Sequence, residues 1–129
     1  MAKTRVLAVC VSLVAAFALA APAAAADVAK EQAAAAFHAG LAAGAKDVKT
    51  VHMHLQHVVN CLVGPAGAGF NGQDMNPCKE LGAGILTDTA PGPARMKAET
   101  ALSRAQAGLK ADDLMASQKI AAETQALLK

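Results

Sequence analysis

Along residues 48–63, VKTVHMHLQHVVNCLV, apolar side chains recur at Val48, Val51, Leu55, Val58, Val59 and Leu62. At 100° per residue they fall within about a third of a helix circumference, the width of a stripe that faces a core. The spacing predicts a helix over 47–63, with the Asp47 carboxylate capping its first free amides. Upstream, DVAKEQAAAAFHAGLAA at 27–43 has weaker patterning but strong helix propensity, because alanine loses no side-chain entropy on ordering. Its larger apolar groups, Phe37 and Leu41, are four apart and share a face, and Gly44 stops the helix. Downstream, Met96, Leu102, Ala105 and Leu109 recur at helical spacing over 93–109, with Pro93 suited to the first turn. A last helix over 112–128, capped by Asp112 or Asp113, gathers Leu114, Ser117, Ile120, Ala121, Thr124, Leu127 and Leu128 on one side.

Between the second and third helices, residues 64–92 are crowded with glycine, proline and asparagine, which mark turns. A loop of this length in a small domain is functional or tied down. Shifting the chain by 65 positions superposes Asp47 on Asp112, Leu55 on Ile120, Leu62 on Leu127 and Val63 on Leu128. The expected fold is therefore all-α: an antiparallel four-helix bundle made of two hairpins, in a single domain over 27–129. Phe70 is expected to plug the end of that bundle.

The first 26 residues have a different pattern. Lys3 and Arg5 precede an apolar run from Val6 to Ala20, and small residues follow up to Asp27. This is the layout of a secretory signal peptide, cleaved most economically after Ala26, with Ala23 and Ala24 as alternatives. The run is shorter than the roughly 20 residues of a membrane span. A periplasmic or secreted location follows, and Cys10 leaves with the leader. Removing Lys3 and Arg5 balances basic against acidic residues, since the whole chain carries a formal charge of +2. No basic footprint for nucleic acid remains.

Three of the four histidines lie on the second helix, at His52, His54 and His57. Measured from the centre of the apolar stripe, His54 lies about 80° to one side and His57 about 140° on that same side, while His52 lies about 80° to the other. His54 and His57 are neighbours on the helix surface and can chelate together. With the interhelix turn centred between Gly44 and Asp47, His38 comes level with Met53, within roughly 2 Å axially of His52 and His54. What its level does not fix is its rotation, because the alanine-rich first helix barely defines an inward face. His38, His52, His54 and His57 are thus candidate ligands for copper, zinc or nickel, with Met53 as a soft donor for Cu(I). The competing picture has histidines bordering a core and His57 in solvent. Glu31, one heptad before His38, is the nearest carboxylate for a supporting role.

The stretch FHAGLAAGAKDVKTVHMHLQHVVN resembles small periplasmic metal-binding proteins built from histidine-bearing helical hairpins. The likeness covers the first two helices and implies metal ligation by His38, His52, His54 and His57. The chain departs from that pattern in having few histidines, none in the second hairpin, and a cysteine-bearing loop, which speaks against high-capacity storage.

Cys61 and Cys78 are expected to pair in an oxidising compartment, tying the end of the second helix to the long loop. Such a bond takes Cys61 off the ligand list. Asn71, Asp74 and Asn76 offer oxygens but fall short of the several carboxylates of a calcium loop, and turn chemistry accounts for them better. No haem-attachment motif, nucleotide-binding glycine loop or serine with a paired base is legible, so neither haem, nucleotide nor catalysis is expected. Two functions remain: metal buffering or delivery, or a cofactor-free helical interaction module with incidental histidines.

Overall fold

The computed structural model describes residues 25–129; the expected leader up to Ala24, with Cys10, lies outside them. Among the described residues there are five helices and no strands: α1 Val28–Gly44, α2 Val48–Val63, α3 Ile85–Asp88, α4 Pro93–Gly108 and α5 Leu114–Leu128. Three of the four long helices start on an aspartate. Asp27 Oδ1 accepts from Lys30 N, Asp47 Oδ1 from Thr50 N, and Asp113 Oδ2 from Ala116 N. Each bond satisfies an amide that has no partner within its own helix. Asp113, not Asp112, holds the last cap. The fourth long helix, α4, has no side-chain cap and begins on Pro93, whose missing N–H needs none.

The α2 stripe forms the centre. Val51, Leu55, Val58 and Leu62 are fully buried, and Val59 nearly so. Around them α1 packs on α2 and α5, and α4 packs on α5 and α2. The outer helices contribute small side chains: Ala35, Ala39 and Ala42 from α1, Ala98, Ala101 and Ala105 from α4. This differs from the sequence pattern at Met96 of α4, which is exposed rather than inward; Phe37 of α1, whose face the sequence left unoriented, is exposed too. Alanine and glycine faces let backbones approach closely, and a larger side chain at the contact would hold the helices apart. Gly108 shows how close: a Cβ there would stand 2.5 Å from Leu55 Cδ1. Phe70 is half-buried against the core cluster.

The connection between α2 and α4 is held at three points. Cys61 and Cys78 are disulfide-bonded. Asn60, fully buried, donates through Nδ2 to the carbonyls of Asn71 and Met75 and accepts at Oδ1 from Asn71 N and Gln56 Nε2. Gly64 and Gly84 have positive φ of 66° and 119°; a Cβ on Gly64 would strike the Ala83 carbonyl, and one on Gly84 the backbone of Gly64. Past that crossing the chain makes the single turn of α3, which the glycine-rich composition conceals. Ile85 anchors the turn in the core at 2% exposure.

Candidate metal centre

The close contact of α1 with α2 turns one histidine of α1 toward two of α2. Ala35, Ala39 and Ala42 lie at the interface, and His38 beside them reaches across the groove. Its Nδ1 stands 3.2 Å from Nδ1 of His54 and 3.2 Å from Nδ1 of His57. The ligand atoms of all three rings lie within 4.8 Å of one another. His38 thus joins the 54/57 flank, and it does so through rotation, which the sequence leaves open.

This spacing has a chemical meaning. An imidazole nitrogen carries either one hydrogen or one lone pair in the ring plane, so His38 Nδ1 cannot serve as donor to one neighbour and acceptor from the other at once. A metal ion accepts all three lone pairs together. With metal–nitrogen bonds of about 2.0–2.1 Å, a nitrogen separation of 3.2 Å subtends about 100° at the ion, between octahedral and tetrahedral angles. The ring centroids are 5.4, 4.9 and 5.5 Å apart, and two of the three pairs are nearly perpendicular.

The rings are also held neutral. Burial lowers the His38 pKa to about 4, helped by the charges that His57 and His54 would carry. Burial likewise lowers His54. His57 is lowered by burial and by His54, while the Asp74 carboxylate pulls the other way. A neutral imidazole has its lone pair free for a metal at pH 7 without first shedding a proton. Asp74, held by Asn71 Nδ2 at 2.6 Å, brings negative charge toward the cluster. That partly offsets the cost of placing a cation in a half-buried groove.

His57 is not in solvent: it is 5% exposed. The His38 ring lies edge-on to it with centroids 4.9 Å apart, and the long loop passes near. Asn60, three residues after His57, grips Asn71 and Met75, and the segment between them carries Asp74 close enough for its charge to act on His57. The other candidates lie elsewhere. His52 sits on the opposite flank, where its Nε2 donates to the Ala111 carbonyl at 2.9 Å. Met53 is exposed, Cys61 is in the disulfide, and Glu31 is bonded to Gly84 N instead of supporting a histidine. Turn chemistry does account for the loop amides: Asn71 Oδ1 accepts from Gln73 N and Asn76 Oδ1 from Cys78 N. Sequence reasoning missed the covering role of Asn60; its one signal is a polar amide one position after the buried pair Val58 and Val59.

No family model matches the chain, and neither a curated protein nor a solved structure matches it.

Proposed function

We propose that this is an exported helical protein that binds one divalent transition-metal ion, copper, zinc or nickel, through His38, His54 and His57, for buffering or delivery. The observation that carries the reading is the convergence of three neutral ring nitrogens from two helices. Export is supported by the leader pattern and by the disulfide, a bond characteristic of oxidising compartments. We read the four long helices as an antiparallel bundle, because α1, α2, α4 and α5 each contact two or more of the others around the α2 stripe. Three protein ligands leave coordination positions for water or for a donor from a receiving partner, as delivery requires.

Calorimetric titration with Cu(II), Zn(II) and Ni(II) tests the reading. The wild-type chain is expected to bind one ion with Kd below 10 µM, about −7 kcal/mol. Alanine at His38, His54 or His57 is expected to weaken binding at least tenfold, and alanine at His52 to leave it unchanged. Binding that survives the His54→Ala, His57→Ala double variant would defeat the assignment. Absence of binding would leave the helical interaction module as the better description.

A further inference from the structure

Two turns before His38, the fully buried Glu31 takes no part in the metal reading. Its Oε1 accepts from Gly84 N at 3.2 Å, and its Oε2 is buried with no partner. The same Gly84 N–H also faces Asp88 Oδ2 at 3.2 Å, and that oxygen accepts from Ala83 N at 2.6 Å. Two carboxylates thus converge on one amide, and no ion pair among the described residues involves either of them. Burial and the Asp88 charge push the Glu31 carboxyl up, against the pull of the Gly84 N–H. Protonation alone does not resolve the arrangement. It would turn a buried acceptor without a donor into a buried donor without an acceptor. A hard divalent cation would need six or more oxygens, and the facing oxygens of both carboxylates already hold amide hydrogens.

The missing partner is a donor with positive charge, and the chain passes the right place. Side chains on a helix tilt toward its N-terminus, so the Glu31 carboxyl lies over the turn that begins at Asp27. Asp27 N donates to the Leu81 carbonyl at 2.8 Å. At the next residue, Gly82, a Cβ would collide with Asp88 Oδ2, would stand 2.8 Å from Glu31 Oε1, and would stand 3.0 Å from the Ala26 methyl. The Ala26–Asp27 peptide therefore runs beside both carboxylates, and it is the bond that the leader pattern marks for cleavage.

We propose that Glu31 and Asp88 form a binding site for the chain's own α-ammonium group, released at Asp27 when the leader is removed. Signal peptidase hydrolyses the bond: the hydroxyl of water goes to the Ala26 carbonyl, and its proton to the Asp27 nitrogen. The amine takes up a further proton at neutral pH, its ordinary pKa being about 7.7–8.0. The Asp27 nitrogen can then keep its bond to Leu81 O and offer two more N–H donors to Glu31 Oε2 and Asp88. A cation at a helix N-terminus is ordinarily unfavourable; the carboxylates of Asp27, Glu31 and Asp88 reverse that here. Maturation would thereby clamp the start of α1 to α3. The inference rests on the export half of the proposed function and not on the metal half.

The test compares a chain beginning at Asp27, freed by specific proteolysis of a fusion, with one retaining Ala24, Ala25 and Ala26, each with and without Glu31→Gln. Retaining the alanines is expected to lower Tm by about 4–8 °C in the wild-type background and by nothing measurable in Glu31→Gln. An equal fall in both backgrounds, or no fall in either, overturns the site. Should Glu31→Gln fail to fold, acylation of the α-amine at pH 7 decides. The folded Asp27 chain is expected to react at least tenfold more slowly than the same chain in urea, and equal rates overturn the proposal. Mass spectrometry of the exported product is expected to find Asp27 first. Any other first residue removes the biological role, while the two comparisons above still judge the carboxylate site.

Discussion

Asn60 holds the loop that carries Asp74 toward His57, a histidine it does not itself bond. Its side chain makes four hydrogen bonds inside the protein, two donated and two accepted, all to α2 or to the loop that covers His57. Asn60→Ala leaves the Asn71 N–H and the Asn71 and Met75 carbonyls without that partner, at about 1–3 kcal/mol for each group that water cannot reach. The expected outcome is a loss of about 2–4 kcal/mol in urea denaturation. The more specific effect is on His57. Its pKa is lowered chiefly by burial, so release of the loop is expected to bring its NMR titration back toward the ordinary value of about 6.5. A His57 titration that stays low in Asn60→Ala would mean that the loop is not what covers the ring.

Among the elements, α1 decides whether a site exists. Apart from Glu31 its buried side chains are all alanines, and that smallness brings His38 within reach of His54 and His57. Ala39→Leu forces a branched side chain into a fully buried position, at about 1–3 kcal/mol. The expected result is a lower Tm together with at least tenfold weaker metal binding, although no ligand has been touched. Unchanged affinity would show that the two α2 histidines suffice. The same alanines explain what could be read from the residues. Helix α2 was legible because its valines and leucines form a narrow stripe, which fixed the side on which His54 and His57 lie and separated His52 from them. The rotation of α1 was not, since a helix whose neighbours are all alanine has no stripe to orient it. Phe37 and Leu41 share a face as their spacing requires, but it is an outer face. The approach of the loop to His57 was hidden for another reason: it rests on hydrogen bonds between Asn60 and backbone carbonyls eleven and fifteen residues away, which leave no trace in periodicity.

At the scale of the whole molecule, the proposed metal and protons would act on the same equilibrium from opposite sides. In the metal-free chain the folded state holds His38, His54 and His57 below their ordinary pKa, so the unfolded chain takes up protons first as pH falls. Stability from these groups is present above about pH 6.5 and drains away as the pH falls toward about 4, the value for His38. While Ala26 is still attached, Glu31 works in the reverse sense: its raised pKa favours the fold at acid pH, and that contribution is lost as the pH rises through the folded value. A metal bound by residues of both α1 and α2 exists only in the folded chain. At a free concentration one hundred times Kd it adds about 2.7 kcal/mol. For a domain of this size that is a rise of about 10–20 °C in Tm, reversible by a chelator. Thermal melts with and without Zn(II) at pH 7.5 and pH 4 are expected to show the full rise at the higher pH and a smaller one at the lower, where a proton competes for the His38 ring nitrogen. His38→Ala is expected to abolish most of the rise, because it removes the one ligand that links the two helices; His52→Ala is expected to preserve it. A rise of the same size in His38→Ala would place the ion on α2 alone and separate metal binding from the fold.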